Sequence, residues 1–166
     1  MGDSVRALWI TVVALVLDQV SKWWVMQAMD LYESVPVLGS FFKLTYIHNP
    51  GAVFGLRLGG MYIHLALAAV GLTFVCVMLW RLPQDAKWPA VGLTLVLGGA
   101  IGNVIDRVRF GVVIDFLDFG FGDTRWWIFN LADSWVSVGM VLLIFTYGLQ
   151  SSDEAHSDAE QNSTST

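Results

Sequence analysis

Four long apolar segments constrain the fold of this chain more than any other feature of its sequence. A helix needs about 20 predominantly apolar residues to cross the roughly 30 Å hydrocarbon core of a bilayer. Each segment approaches that length, and its apolar residues do not alternate with polar ones at the period of a surface helix or strand. We therefore predict a mainly α-helical membrane protein with four transmembrane helices. The segments are residues 7–26, 61–82, 89–105 and 131–149.

The composition agrees with a membrane protein and excludes several classes of function. Only 14% of the 166 residues are charged, compared with about 25% in soluble domains. Nine Lys and Arg residues in the whole chain form no basic stripe of the kind that nucleic-acid binding requires. The single cysteine, Cys76, rules out an intrachain disulfide, and we expect it to be a buried structural thiol. The three histidines form no metal-binding pair, so we predict neither a metal nor another cofactor.

The first apolar segment has an alternative interpretation as a cleaved signal peptide, because Arg6 precedes it. No small-residue cleavage pattern follows, and Trp23 and Trp24 are typical of an interfacial aromatic anchor, which favours a retained helix. The basic residues do not decide the orientation. With four spans, three basic residues, including Arg6, lie on the side of the termini and five lie on the other side. Because cytoplasmic loops carry more Lys and Arg, this count weakly favours termini on the extracytoplasmic side.

The last sixteen residues differ in composition from the rest of the chain. Residues 151–166 contain four acidic residues, no Lys or Arg, and many Ser, Asn and Thr. Such a segment buries too little apolar area to offset the entropy of ordering it. We therefore predict one membrane domain over residues 1–150 and a disordered acidic tail over residues 151–166.

The connections on one side of the predicted bundle are rich in β-forming residues. Residues 41–47 read as a strand, and Asn49, Pro50 and Gly51 follow as a turn. Residues 112–117 and 126–129 are also β-prone. We predict a small β-sheet with a loop at the membrane face.

Charged residues within the apolar segments form two groups. Asp18 and Lys22 are spaced i and i+4, so they lie on one helix face with the acid N-terminal to the base, the favourable order. Asn103, Asp106 and Arg107 share a face at i, i+3 and i+4. Each group is either a self-neutralising structural cluster or part of a functional site, because charges inside a bilayer are costly.

Four aspartates follow the third apolar segment within a short stretch, and two of them are candidates for catalysis. Two carboxylates that face one water molecule hydrolyse a peptide bond without a cofactor, because proximity separates their pKa values. Asp115 lies in an apolar β-like run, where it has no evident structural role. Asp133 has one, since Asn130 to Asp133 has the pattern of a helix N-cap followed by an acid at the third helical position. The other two acids are Asp118 and Asp123, the latter in a GxGD match that we attribute to chance.

These motifs together resemble those of the lipoprotein signal peptidase family, also called signal peptidase II. They occur in order over nearly the whole chain up to about residue 149, and the acidic tail lies outside them. Each is modestly specific, whereas their conjunction in a four-span chain is highly specific. The motifs are DQVSK at residues 18–22, NPGAVFG at 49–55, GNVIDR at 102–107 with GVVIDF at 111–116, and FNLADS at 129–134.

The resemblance implies an aspartic endopeptidase that removes signal peptides from prolipoproteins by cutting just before a diacylglyceryl-modified cysteine. It implies a location in the bacterial inner membrane with both termini cytoplasmic and with the sheet and active site at the extracytoplasmic face. Independently of the resemblance, we expect the protein to be a monomer. By motif position, the catalytic dyad corresponds to Asp115 and Asp133. The implied supporting residues are Asp18, Lys22, Asn49, Asn103, Asp106, Arg107 and Asn130.

A different class of function is compatible with the same charged residues. A small polytopic transporter or proton relay would use Asp18, Lys22, Asp106 and Arg107 as a path across the membrane. Two carboxylates at the membrane face beside a β-rich loop fit hydrolysis better. Cleavage of a lipid-modified precursor in detergent, without any gradient, distinguishes the two hypotheses.

Overall fold

The chain forms a helical bundle with a small β-sheet at one end. A computed structural model describes residues 3–53, 56–57, 60–122 and 124–164. Its helices occupy the four predicted apolar segments, and by length and composition α1, α2 and α3 are able to cross a membrane. The apolar part of the fourth helix, Leu131–Tyr147, is shorter. The helices are α1 Asp3–Ala28, α2 Met61–Arg81, α3 Lys87–Phe110 and α4 Leu131–Thr164.

Helix α3 is the centre of the bundle and packs against each of the other three helices. Its contact with α1 depends on a close approach at Gly102, where an added Cβ would overlap the carboxylate of Asp18. Helix α2 packs on another face of α3, where Val75 lies against Leu93 and Leu97. Small residues that let backbones approach closely are typical of membrane helix interfaces.

The outer faces of the bundle are apolar. Large side chains such as Trp9 on α1 and Leu67 on α2 are 73% and 63% exposed, as expected for surfaces that contact lipid rather than water. Cys76 is among the exposed residues of α2, so the prediction that it is buried is wrong. Unlike its neighbour Val75, Cys76 is not covered by other side chains, and an uncharged thiol exposed on the bundle is compatible with hydrocarbon.

The sheet confirms two of the predicted β segments. Its strands run antiparallel in the order β1–β2–β5–β6, and residues 41–47 and 112–117 correspond to most of β2 and to the first half of β5. A separate hairpin joins β3 and β4. The strands are β1 Ser34–Leu38, β2 Phe42–Asn49, β3 Ala52–Val53, β4 Leu56–Arg57, β5 Val113–Phe121 and β6 Thr124–Arg125.

The third β-prone segment, residues 126–129, does not form a strand. Only Phe129 forms a bridge with β5, to Leu117, and its ring stacks on Phe119. Trp126 donates its backbone N–H to Phe119 over 2.7 Å, but the side chains of Trp126 and Trp127 are 73% and 64% exposed and have no covering layer. Strand propensity is expressed only where a pleated partner covers the residues.

One face of the sheet packs on the end of α1 and thereby brings the strands to the helix ends. Tyr46 on β2 and Ile114 and Phe116 on β5 bury against Val25 of α1 and against Met29, the residue after the helix. This cluster fixes the first residues of β5 beside the ends of α1 and α3. The predicted turn is also present, since Gly51 donates its backbone N–H to Asn49 Oδ1 over 2.9 Å.

Helix α4 continues beyond its apolar part to Thr164. It therefore includes most of residues 151–166, for which the composition predicts disorder. No Gly or Pro interrupts this segment, so helical geometry propagates through it. The division of the chain into a domain and a tail at residue 150 stays a prediction.

Candidate active site

Asp115 and Asp133 come from two elements that begin at the same end of the bundle. Asp115 is the third residue of β5, and Asp133 is the third residue of α4. Asp115 is only 1% exposed, whereas Asp133 is half-buried. The two carboxylates lie close enough for the charge of Asp133 to act on the ionisation of Asp115.

Two amide groups bind the carboxylate of Asp115. The side-chain Nδ2 of Asn130 donates to Oδ1 over 2.6 Å, and that of Asn49 donates to Oδ2 over 2.9 Å. The pKa of Asp115 is raised from its ordinary 3.8 to about 7, first by burial and then by the charge of Asp133. The two amide hydrogen bonds and the charge of Lys22 act in the opposite direction. Asp115 therefore titrates in the neutral range.

Asp133 combines a capping role with a place in the site. Its backbone N–H donates to Asn130 Oδ1 over 3.0 Å, and its Oδ2 accepts the backbone N–H of Asn130 at 3.3 Å. This reciprocal pair is a capping box and confirms the predicted N-cap. The other carboxylate oxygen, Oδ1, accepts a hydrogen bond from Asn103 Nδ2 over 2.8 Å. One residue thus begins a helix and presents a carboxylate to the site.

Asn103 and Asn130 connect the two carboxylates. Asn130 Nδ2, which binds Asp115, is also 3.2 Å from Asn103 Oδ1. Lys22 Nζ donates to the same oxygen over 3.1 Å. Because Asn103 Oδ1 accepts from both neighbours, its Nδ2 is directed at Asp133. The amides therefore orient both acids at once.

Lys22 joins two acids in the bundle interior, and the three residues Lys22, Asp18 and Asp106 are called the buried ion cluster. Its Nζ lies 2.9 Å from Asp18 Oδ2 and 2.8 Å from Asp106 Oδ2, and all three residues are 1% exposed or less. The predicted pair of Asp18 and Lys22 is confirmed. The two acids also share Gln19, whose Nε2 lies 3.1 Å from each. Sequence reasoning did not single out Gln19, although a polar residue beside Asp18 in an apolar helix is a signal of interior contacts.

The buried ion cluster also holds the backbone next to each candidate catalytic acid. Asp18 Oδ1 accepts the backbone N–H of Ala132, the residue before Asp133, over 2.9 Å. Asp106 Oδ2 accepts the backbone N–H of Ile114, the residue before Asp115, over 3.2 Å. Hydrogen bonds to charged groups are stronger than neutral ones. The cluster therefore fixes the first turn of α4 and the start of β5 relative to each other.

Arg107 is the remaining cation at the site. Its Nη1 donates to the backbone oxygen of Asn103 over 3.2 Å. Its charge interacts with those of Asp133, Asp115 and Asp106, so it balances the acids of the site.

The other two aspartates of this region stand apart. Asp118 is 5% exposed and binds Arg125 and Thr45 within the sheet, so its contacts are structural. Asp123 lies outside the described residues. Within the part of the chain that the structure describes, no three His, Cys, Asp or Glu side chains converge as a metal site would require.

A profile of signal peptidase II matches residues 10–149 of the chain. The chain belongs to the signal peptidase II family. It is 43% identical over 147 residues to the lipoprotein signal peptidase of Psychromonas ingrahamii, which covers 86% of this chain and 84% of that protein. It is 41% identical over 167 residues to the lipoprotein signal peptidase of Alteromonas mediterranea, covering 96% of this chain and 91% of the relative.

Solved structures agree with this membership. A bacterial membrane enzyme determined at 2.3 Å matches with a TM-score of 0.82 and 30% identity, over 89% of this chain and 90% of that one. A second bacterial membrane enzyme, at 1.9 Å, matches with a TM-score of 0.77. The resemblance expected from the motifs is confirmed, and with it the prediction of a membrane protease.

Proposed function

We propose that this chain removes the signal peptides of prolipoproteins, cutting on the N-terminal side of a diacylglyceryl-modified cysteine, with Asp115 and Asp133 as its catalytic dyad. The observation that carries the proposal is a pair of unequal carboxylates at one end of the bundle. One is buried and has a pKa of about 7, and the other begins a helix within reach of its charge. Family membership supplies the reaction class, and the curated relatives are lipoprotein signal peptidases.

The two environments support different protonation states. Asp115 is buried and repelled by a second carboxylate, so near neutral pH it holds a proton. Asp133 is half-buried at the N-terminus of α4, and its two oxygens accept N–H bonds from Asn103 and Asn130. We therefore assign the general acid to Asp115 and the general base to Asp133.

Hydrolysis follows from this assignment. Asp133 takes a proton from water as the water oxygen attacks the scissile carbonyl carbon, and Asp115 gives its proton to the carbonyl oxygen. The resulting gem-diol collapses when its C–N bond breaks. The leaving nitrogen takes a proton from Asp133, and Asp115 recovers its own from the gem-diol hydroxyl. The dyad returns to its starting state with one water consumed.

The supporting residues position this dyad. Asn49, Asn103 and Asn130 orient the two carboxylates through amide hydrogen bonds. The buried ion cluster of Asp18, Lys22 and Asp106 holds the adjoining backbone, and Arg107 offsets the negative charge of the acids.

A lipid-modified substrate suits the surface of the bundle. Helices α2, α3 and α4 line an apolar groove of about 580 Å³. It is lined by side chains such as Leu72, Val96 and Leu143 and has no charged residue. Such a groove accommodates hydrocarbon at low cost, because lipid chains and these side chains are equally apolar.

The proposed location is the bacterial inner membrane, with both termini cytoplasmic and the sheet and dyad at the extracytoplasmic face. The bacterial origin of the relatives and the apolar helices support this placement. We propose that the protein acts as a monomer.

The test is cleavage of a lipid-modified precursor by the purified protein in detergent, without a membrane gradient. Asp115→Asn and Asp133→Asn should each abolish cleavage, because one acid must donate a proton and the other accept one. Asp118→Asn is the matched control and should retain cleavage. Activity that requires a sealed vesicle and a gradient would instead support the transporter hypothesis, and an active Asp115→Asn variant would exclude the dyad.

A further inference from the structure

The side chain of His64 lies between the two ends of the connection from β2 to α2. His64 belongs to the first turn of α2. Its Nε2 is 2.8 Å from the backbone oxygen of Gly51, and its Nδ1 is 3.3 Å from that of Gly60. A carbonyl oxygen only accepts, so Nε2 carries the proton in the shorter bond and donates it to Gly51. The imidazole thus joins the base of the connection over residues 52–59 to helix α2.

Gly51 is shaped for this contact in two independent ways. Its φ of +97° lies in a region that residues with a side chain rarely adopt. A Cβ at this position would also lie 2.5 Å from His64 Nε2. Only glycine satisfies both the turn and the close approach of the ring.

The same turn holds one of the amides that bind Asp115. Gly51 donates its backbone N–H to Asn49 Oδ1 over 2.9 Å, and Asn49 Nδ2 donates to Asp115 Oδ2 over 2.9 Å. With its oxygen engaged by Gly51, the amide of Asn49 presents its N–H₂ group to the carboxylate. Three consecutive hydrogen bonds therefore lead from His64 through Gly51 and Asn49 to Asp115.

We propose that His64 is a positioning residue for the hydrolytic reaction, which acts by fixing the turn at Gly51 and thereby the amide of Asn49 on Asp115. The inference rests on the proposed function, since it assigns Asp115 to the reaction. His64 does not touch the dyad itself, so its effect is transmitted through the turn. Loss of alignment by a fraction of an ångström at a catalytic group is enough to lower turnover.

The pH profile separates this role from a general loosening of the site. The hydrogen bond from Asn49 lowers the pKa of Asp115, so its loss raises that pKa and moves the alkaline limb of kcat to higher pH. General loosening admits water, which reduces the effect of burial and moves the limb to lower pH. The charged groups that act on Asp115 are Asp133 on α4, Lys22 on α1 and Arg107 on α3, and changing His64 alters none of them.

The experiment compares three variants of the full-length protein in detergent with a lipid-modified precursor. His64→Leu removes the donor, and His64→Gln restores an N–H at similar reach. Ile63→Ala, a change at an exposed neighbour in the same helical turn, is the control. We expect His64→Leu to lower kcat by about tenfold to a hundredfold with little change in KM and with the alkaline limb shifted upward. His64→Gln should recover most of the turnover, and Ile63→Ala should match the wild type.

A second measurement keeps the inference testable without activity. Hydrogen exchange at the Gly51 amide should accelerate in His64→Leu and not in Ile63→Ala, because the turn loses its anchor. If the wild type cleaves and His64→Leu keeps its kcat and pH profile, the inference fails and the proposed function stands. If the wild type does not cleave, the proposed function fails, and unchanged exchange at Gly51 would then show that His64 does not hold the turn either.

Discussion

We predict that Asp115→Asn is inactive but more stable than the wild type at alkaline pH, because the carboxyl group of Asp115 is buried. The pKa of Asp115 is raised from 3.8 to about 7 in the folded protein. Between these values the folded state binds a proton that the unfolded state has lost, so the free energy of unfolding falls as pH rises. This penalty for ionising the buried Asp115 lowers the free energy of unfolding by about 1.4 kcal/mol per pH unit, which amounts to about 3 kcal/mol between pH 5 and pH 7.

Asp115→Asn removes this penalty because an amide does not ionise. The change has its own cost, since Asn49 and Asn130 both donate to the present carboxylate and an amide offers only one acceptor oxygen. A lost buried hydrogen bond costs about 1–3 kcal/mol. That cost is the same at every pH, so it cancels when the two proteins are compared across pH. Relative to the wild type, Asp115→Asn should gain about 3 kcal/mol from pH 5 to pH 8.

Thermal unfolding in detergent, followed by tryptophan fluorescence from pH 5 to pH 8, measures this difference. The Tm of Asp115→Asn minus that of the wild type should rise by about 6–12 °C over this range, at 2–4 °C per kcal/mol for a chain of this size. Asp118→Asn, a change of the same chemistry elsewhere in β5, should show no such trend. A Tm difference that stays constant with pH would refute an elevated pKa at Asp115.

Three further outcomes follow from the same structure. Asp133→Asn should lower the pKa of Asp115, measured from its carboxyl infrared band, because the charge of Asp133 raises it. Asp18→Ala and Lys22→Ala should each cost about 3–5 kcal/mol, and a double-mutant cycle should show the double change milder than their sum, whereas strict additivity would mean that the pair does not interact. Cys76→Ala and thiol reagents should leave cleavage unchanged, because Cys76 is on α2 and the dyad is on β5 and α4. EDTA should also have no effect, because the described residues form no metal-binding cluster.

The helices were predictable from sequence because burial in a bilayer needs long apolar segments. The C-terminal end of α3 was not predictable in the same way. The predicted helix ends at about residue 105, whereas α3 continues to Phe110, past Asp106 and Arg107. Asp106 is paired inside the bundle with Lys22 of α1, and Arg107 donates to the backbone oxygen of Asn103 in its own helix. The partner of Asp106 is distant in sequence and leaves no local signal.

Sheet pairing was predictable only in part. Residues of β2 and β5 are β-prone and pair with each other, so propensity and tertiary contacts agree there. Strand β1 contains Pro36 and is exposed along its length, so neither periodicity nor apolar content marks it. Its pairing with β2 places it at the sheet edge, where proline is tolerated.

The candidate site illustrates which roles a sequence reveals. Asp115 was a candidate from its local sequence, because a carboxylate in an apolar β-like run has no evident structural role. The bonds from Asp18 to Ala132 and from Asp106 to Ile114 were not predictable, since they depend on how α1, α3, α4 and β5 meet. The sequence identified these acids, and the fold assigns their partners.

The fold gives different roles to the two acids of β5, since Asp115 lies at the dyad and Asp118 binds within the sheet. This difference leads to a prediction for Asp118. Its Oδ1 lies 2.9 Å from both Nε and Nη2 of Arg125, and its Oδ2 accepts from Thr45 over 2.7 Å. Asp118→Asn removes the charge from this pair and should lower the free energy of unfolding by about 1.5–3 kcal/mol. Cleavage at a temperature where the variant is folded should be unchanged, since Asp118 binds within the sheet rather than at the dyad. Loss of turnover in the folded variant would instead place Asp118 among the catalytic groups.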